Sequence, residues 1–223
     1  MPFHPLQHLE RHTVQGAARE AAQSSYAQSG WGTHLSYPVT RREGKPLVFE
    51  LRLPDGIELI DVVKLAAAAE GAPAFVGQGL TALQTAQQLP GVVAVTAMRP
   101  TNVPAEERPV VATMTVVFTE LQGPLNVEDF LPQDGPNTTH SKQDITQLSD
   151  RVWGIHRIAT ESQGEGQEPL PLLLMEYLWQ SDYGLVAIAF CTTRMDMMGN
   201  AVRQLWDNIR QTMYIGEEPS VTS

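Results

Sequence analysis

The sequence holds few of the residues whose patterns usually reveal a protein's chemistry. Cys191 is the single cysteine among 223 residues, which excludes an intramolecular disulfide and is typical of a reducing cytoplasm. Charged residues make up only 18%, and 15 lysines and arginines stand against 25 aspartates and glutamates. The resulting net charge of −10 repels phosphate backbones and anionic lipids, so we expect no nucleic-acid partner.

Long apolar runs are missing as well. No stretch approaches the roughly 20 apolar residues that span a bilayer, and the opening segment MPFHPLQHLERHTVQG lacks the apolar core of a secretory signal. We therefore expect a cytoplasmic protein without membrane insertion. Hydrophobic residues reach 42%, which is enough to build a core in one ample domain or two small ones.

Alternation of apolar and polar residues predicts several strands. The clearest is 47–53, where Phe49 and Leu51 alternate with Glu50 and Arg52. Further strands are predicted at 92–98, 110–121, 149–162, 172–180 and 185–192. The first two of these fit an antiparallel hairpin with a long connection.

One amphipathic helix is predicted near the C-terminus, from about Met195 to Met213. Thr193, with Asp196 three residues on, fits a capping box that marks its start. The helix therefore buries one side against the strands. Its apolar face recurs at spacings of three and four and consists of Met198, Val202, Leu205, Trp206, Ile209 and Met213.

The other segments are predicted to be mainly exposed helix or loop. Residues 5–28 are predicted to form a helix with a thin apolar stripe. Residues 29–46 and 122–150 contain many prolines and glycines and are predicted loops, the second with one helical turn capped by Asn126. Residues 57–70 combine a β-branched start, typical of a strand, with an alanine run, typical of a helix.

These elements together predict an α+β fold. We expect a central antiparallel β-sheet flanked by helices and closed by the C-terminal amphipathic helix. The predicted division is a helical and loop extension over 1–46, a single domain over 47–216 and a flexible tail over 217–223.

One glycine pattern permits a nucleotide-binding interpretation. The segment GQGLTA (77–82) matches a dinucleotide-binding loop, in which backbone N–H groups near Gly77 and Gly79 face a pyrophosphate. The strand after it ends at Arg99 without an acid for a ribose, which suits only a phosphorylated ribose such as that of NADP. Because the strand before it is very short, we favour a glycine-rich helix start.

Histidines and the cysteine are further candidates. His4, His8 and His12 would share one face of a helix and could bind a transition metal, but Pro5 lies among them and we favour a solvated terminus. Cys191 lies in the apolar run VAIAFC, so we expect a small core residue, not a nucleophile.

Catalytic motifs are lacking. The sequence has no Gly-x-Ser-x-Gly, His-Glu-x-x-His, Walker or Cys-x-x-Cys pattern, and the acid pairs at 106–107 and 128–129 fit solvated loops. We therefore assign no catalytic, cofactor-binding or metal-binding residue and expect no cofactor.

Two stretches share their order of elements with a known family. The segment VFELRLPDGIELI (48–60) resembles the opening strand and proline turn of the PsbP-like superfamily, which includes Ran-binding Mog-type proteins and actinobacterial LpqN- and LpqT-like lipoproteins. The stretch 183–215 resembles that group's final strand, Thr-rich turn and helix. The resemblance implies a sheet with helices on both faces and a binding or assembly role, and it carries over no catalytic residue. The chain departs from the lipoproteins in lacking a lipobox cysteine and in having the segment 1–46.

The expected function is a non-enzymatic binding or assembly module that contacts a protein partner. The contact surface is expected on the 5–28 helix, the 99–109 or 122–150 loops, or the open sheet face. The alternatives are a nucleotide-dependent enzyme that uses Gly77 and Gly79, and a small-molecule carrier with an apolar pocket between sheet and helix.

A thermal-shift measurement separates the first two functions. A ligand that binds only the folded chain raises its melting temperature by mass action. Because we favour the binding module, we expect the melting curve to stay flat with NADP and NAD at millimolar concentration. A rise of several degrees with NADP would instead favour the enzyme.

Overall fold

The computed structural model describes residues 33–62, 87–102, 104, 110–120, 124–131, 138–161, 170–192 and 200–217. Ten strands and one α-helix lie entirely within these ranges. A short 3-10 helix, Val127–Phe130, precedes the sixth strand. In chain order the elements are β1 (Thr33–Val39), β2 (Leu47–Leu53), β3 (Ile57–Asp61), β4 (Val92–Pro100), β5 (Ala112–Thr119), β6 (Thr138–Ser149), β7 (Val152–Glu161), β8 (Leu170–Gln180), β9 (Leu185–Thr192), α1 (Asn200–Gln211) and β10 (Tyr214–Glu217).

The strands form two antiparallel sheets. The small sheet has the order β1-β2-β10 and the large sheet the order β3-β4-β5-β9-β8-β7-β6. Strands take up 62% of the described residues and helical segments 12%. The predicted α+β fold, with a central sheet flanked by helices, is therefore wrong, and the part of the chain that the structure describes is mostly β. Alternation shows that a strand has a buried face but not what covers it, and here a second sheet does so.

The two sheets share one hydrophobic core. The side chains that β2 contributes to this core are each at most 1% exposed: Leu47, Phe49, Leu51 and Leu53. They pack in one cluster with the inner face of the large sheet, which includes Met114 of β5 and Ile188 of β9. Because full burial of such side chains contributes about 1.5–3 kcal/mol each, this cluster is what joins the two sheets.

Helix α1 packs against both sheets through the side that the sequence predicted. Trp206 and Ile209 are fully buried, as expected for the apolar face. The Trp206 ring stacks on Phe190 of β9 with centroids 5.3 Å apart, and Phe190 meets Tyr177 of β8 edge-on at 6.2 Å. The predicted capping box at 193–196 lies outside the described residues.

Thr212 lies between the end of α1 and the start of β10. The Thr212 Oγ1 accepts a hydrogen bond from the Arg52 N–H at 2.9 Å and donates to the Ile209 carbonyl at 2.7 Å. This ties the end of α1 to β2. The chain then continues as β10, in which Tyr214 pairs with Glu50, so the small sheet gains its third strand from the C-terminal part of the chain.

Most predicted strands are confirmed, and two predicted loops are partly wrong. β2, β4, β5, β7, β8 and β9 match predicted strands, and β4 and β5 pair as the expected antiparallel hairpin. The loop expected over 29–46 contains β1, and the one over 122–150 contains β6. Both lie at a sheet edge, where a strand needs little apolar surface and its alternation is weak. The helical turn after Asn126 is confirmed, since the Asn126 side chain accepts a hydrogen bond from the Glu128 N–H.

Removing the Trp206 ring tests the shared core. We expect Trp206→Ala to lower the free energy of unfolding by about 3–5 kcal/mol, because a large cavity would remain against Phe190. Urea unfolding followed by circular dichroism measures this. Leu89→Ala, at an exposed position outside the strands, serves as a control and should change stability by about 0.5 kcal/mol or less. A loss below about 1 kcal/mol for Trp206→Ala would contradict the arrangement.

Candidate interaction surface

The two sheets have four edge strands, and β6 differs from the other three. β10 has four residues, β3 has five, and β1 has seven with Pro38 among them. β6 has twelve residues. A free edge presents unpaired backbone N–H and C=O groups to any extended chain, and short strands and prolines are common ways of blunting it. Among the described strands, none pairs with the outer side of β6.

β6 pairs with β7 along its inner side and has a regular stretch between two irregularities. The register shifts between His140 and Lys142 and again between Gln147 and Ser149. The residues from Lys142 to Gln147 pair without a break. Bulges bend and twist an edge strand, which limits pairing from outside. The stretch between them is therefore the part of the edge that can accept another strand.

Among the described residues, no second layer covers either face of this stretch. Every residue from Gln143 to Gln147 is exposed. Because side chains alternate between the two faces of a strand, a layer packed on either side would bury every second residue. Residues 143–147 of β6 thus form an open strip of sheet beside the shared core, against which Leu148 of the same strand packs.

Ile145 is the apolar centre of this strip. Its side chain is 45% exposed, whereas Ile155, directly opposite it on β7, is 1% exposed. Ile155 packs with Leu178 and Leu185 in a second, smaller core cluster. Directly opposite residues point to the same face of a sheet. Ile145 therefore lies at the uncovered rim of an apolar cluster.

A buried ion pair holds the strand behind β6 in place. The Arg157 Nη2 of β7 lies 2.5 Å from the Glu176 Oε2 of β8, and the Arg157 side chain is only 5% exposed. Breaking a buried pair leaves an uncompensated charge and destabilises by about 3–5 kcal/mol. On the other face, the Asp144 Oδ2 lies 3.9 Å from the His156 Nδ1. The edge strand β6 thus pairs with β7, which the Arg157–Glu176 ion pair connects to β8.

A second polar cluster lies between β8 and α1. The Tyr177 hydroxyl donates to the Asp207 Oδ1 at 2.9 Å, and the Arg210 guanidinium lies 5.0 Å from the centre of the Tyr177 ring. Burial and the neighbouring Asp207 carboxylate raise the pKa of Tyr177 far above its usual value. The phenol therefore stays protonated at neutral pH, and the cluster ties α1 to the large sheet.

The structure places some of the predicted candidate residues. Cys191 is half-buried on β9, with Thr113 and Leu174 as its neighbours across the sheet, so it lies beside the core rather than inside it. Glu128 and Asp129 are exposed on the 3-10 helix. No group of three metal-binding side chains occurs in the part of the chain that the structure describes. The candidates outside that part are His4, His8, His12, Gly77, Gly79, Glu106 and Glu107.

The strand β6 was missed because its sequence is almost wholly polar, although the segment 122–150 that contains it was among the expected contact surfaces. TTHSKQDITQLS contains only Ile145 and Leu148 as apolar residues, too few for a visible alternation. The signal that could have found it is its four threonine and isoleucine side chains, since β-branched residues favour strands.

Tyr177 offers a pH-dependent test of the α1 attachment. A raised pKa in the folded chain gives stability that is fully present below the unfolded pKa, about 10, and is lost as the pH rises above it. Wild-type stability should therefore fall above about pH 10, by up to about 1.4 kcal/mol per pH unit from this group. We expect Tyr177→Phe to be about 1 kcal/mol less stable at neutral pH and to lack this slope.

Urea unfolding of both chains between roughly pH 7 and pH 11 measures the difference. The two stabilities should converge as the pH rises. Parallel curves for the wild type and Tyr177→Phe would show that Tyr177 ionises equally easily in the folded and unfolded chains, contrary to its buried contact with Asp207.

Comparison with known proteins adds no family. Neither a protein-family model nor a curated protein matches the chain. The resemblance to the PsbP-like superfamily therefore stays a prediction. Within the described ranges, every helix is too short or too polar to traverse a lipid bilayer.

Proposed function

We propose that this chain is a non-enzymatic, cytoplasmic binding or assembly module that contacts another protein by adding a strand to the outer edge of β6. The observation that carries the proposal is the exposure of both faces from Gln143 to Gln147 on an edge strand of twelve residues. In strand addition, backbone hydrogen bonds supply affinity and alternate side chains supply specificity.

The side chains of the edge favour a specific partner over indiscriminate association. Gln143, Ile145 and Gln147 share one face, and Asp144 and Thr146 share the other. A single apolar side chain among polar ones offers one anchoring point. Because charged and polar edge residues discourage aggregation, the strip can stay exposed until its partner binds.

The rigidity of the edge also supports binding. β6 is paired along its inner side with β7, and the Arg157–Glu176 ion pair connects β7 to β8. An edge that is already ordered loses little conformational entropy when a second strand pairs with it. The acidic net charge of −10 favours a protein partner over a nucleic acid.

Partner capture by matched lysine variants tests this function. The wild-type protein, Ile145→Lys and Leu89→Lys are immobilised and exposed to an extract of the source cells. Leu89 is an apolar residue that is 57% exposed and lies outside the strands, so it is a matched control. We expect a discrete partner on the wild type and Leu89→Lys and at least a tenfold lower yield on Ile145→Lys.

Hydrogen–deuterium exchange then locates the contact. Amides between Gln143 and Gln147 should exchange more slowly once the purified partner is added, because strand addition gives outward N–H groups an acceptor. Equal capture by all three proteins, or protection confined to other segments, would contradict the β6 surface.

A further inference from the structure

We propose that the strand added to β6 is the β6 of a second copy of the same chain, paired antiparallel about a two-fold axis at Ile145. This inference rests on the proposed function, since it assumes strand addition at this edge. It specifies the partner and the register, and it makes the chain a homodimer.

Sheet geometry leaves few registers for such a pairing. Residues directly opposite each other in an antiparallel pair point to the same face. For two identical strands, the two-fold axis must therefore pass through a residue that faces its own copy. Within the regular stretch the central choices are Asp144, Ile145 and Thr146.

Charge and apolar contact select Ile145 among the three. An axis at Asp144 places two carboxylates directly opposite each other, which is destabilising. An axis at Thr146 places the exposed Ile145 opposite a glutamine. An axis at Ile145 pairs the two isoleucines, places each Asp144 opposite the Thr146 of the second copy, and leaves the two carboxylates only diagonal neighbours.

The isoleucine pair also extends an existing cluster. Ile145 lies beside the buried Ile155, and in the dimer it gains the Ile145 of the second copy on its open side. The partly exposed rim of the smaller core cluster would thus be closed by its own copy. Burial of apolar surface contributes about 25 cal/mol per Å², so this contact supplies the main attraction beyond backbone hydrogen bonds.

The two register irregularities of β6 limit how far a second strand can pair on either side of Ile145. The register skips Ser141, four residues before Ile145, and Leu148, three residues after it. With the axis at Ile145, residues 143–147 of the two copies face each other, and Leu148 of each copy falls opposite position 142 of the other. A two-fold pairing uses the same edge of both chains, so the assembly closes at two copies.

Net charge predicts how the dimer responds to salt. Each copy carries −10, so the two chains repel at long range. Dissolved ions screen repulsion between exposed charges beyond about 10 Å at 0.1 M ionic strength. Dimerisation should therefore strengthen as salt rises from about 0.05 to about 0.5 M, the opposite of an interface held by ion pairs.

Sedimentation equilibrium of the purified full chain, across roughly 1–500 µM, tests the proposal directly. The wild type and Leu89→Lys should dimerise equally, and Ile145→Lys should dissociate at least tenfold more readily. Circular dichroism confirms that each variant folds. A wild type that stays monomeric throughout, or an Ile145→Lys variant with unchanged dimerisation, would overturn the proposal.

Thr146→Lys tests the register. With the axis at Ile145, the new lysine faces Asp144 of the second copy, so the variant should dimerise more tightly than the wild type. With the axis at Asp144 it would face Lys142, and with the axis at Thr146 it would face another lysine. Weaker dimerisation of Thr146→Lys would therefore exclude the Ile145 register.

The dimer and the proposed function fail in different ways. If the purified wild type is monomeric but Ile145→Lys still loses the partner captured from extract, β6 binds a different protein and only the homodimer is wrong. If capture is also insensitive to Ile145→Lys, strand addition at β6 is wrong as well.

Discussion

The packing of Trp206 against Phe190 is the contact on which the rest of the structure depends. It joins α1 to β9 at the centre of the large sheet and brings the end of the helix to β2. The Thr212 hydroxyl then connects the helix end to Arg52, and β10 completes the small sheet. This contact places β10 next to β2 and buries Phe190 on the inner face of the large sheet, beside the cover that β2 supplies. A single buried indole therefore links the C-terminal segment to strands near both ends of the described chain.

Burial of the inner face also explains why β6 is available for binding. The shared core is built mainly from β2, β4, β5, β8 and β9 and includes Val152 of β7, whereas residues 143–147 of β6 are exposed at the far edge of the large sheet. The stability of that edge comes from pairing with β7 and from the Arg157–Glu176 pair, so its outer side chains need not be buried. An edge held by its backbone and by the strand behind it can remain polar, open and ordered. These are the properties that strand addition requires.

Prediction from the sequence succeeded where the spacing of apolar residues within a single strand or helix indicates the element. β2, β5 and β9 have apolar side chains at every second position, and the face of α1 with Trp206 and Ile209 has the helical spacing. It failed for β1 and β6, whose few apolar residues leave little periodicity to detect. It failed for the fold class for another reason: a strand's pattern reports burial but not the identity of the covering layer. The segment 122–150 was an expected contact surface, but its sequence predicted neither the strand β6 nor the position of that strand at a sheet edge.

The sequence by itself determined the local elements, the buried side of α1 and the acidic charge, because each depends on residues near one another in the chain or on composition alone. Only the tertiary structure decided that β10 joins β2, that two sheets share the core, and that β6 ends the large sheet. Those features depend on contacts between distant residues, such as Thr212 with Arg52, 160 positions apart. The pairing of β10 with β2, unlike the Thr212 contact, is almost independent of side-chain identity, because backbone groups make its hydrogen bonds. The proposed role of residues 143–147 in binding therefore depends on their position at the edge of the large sheet more than on their residue types.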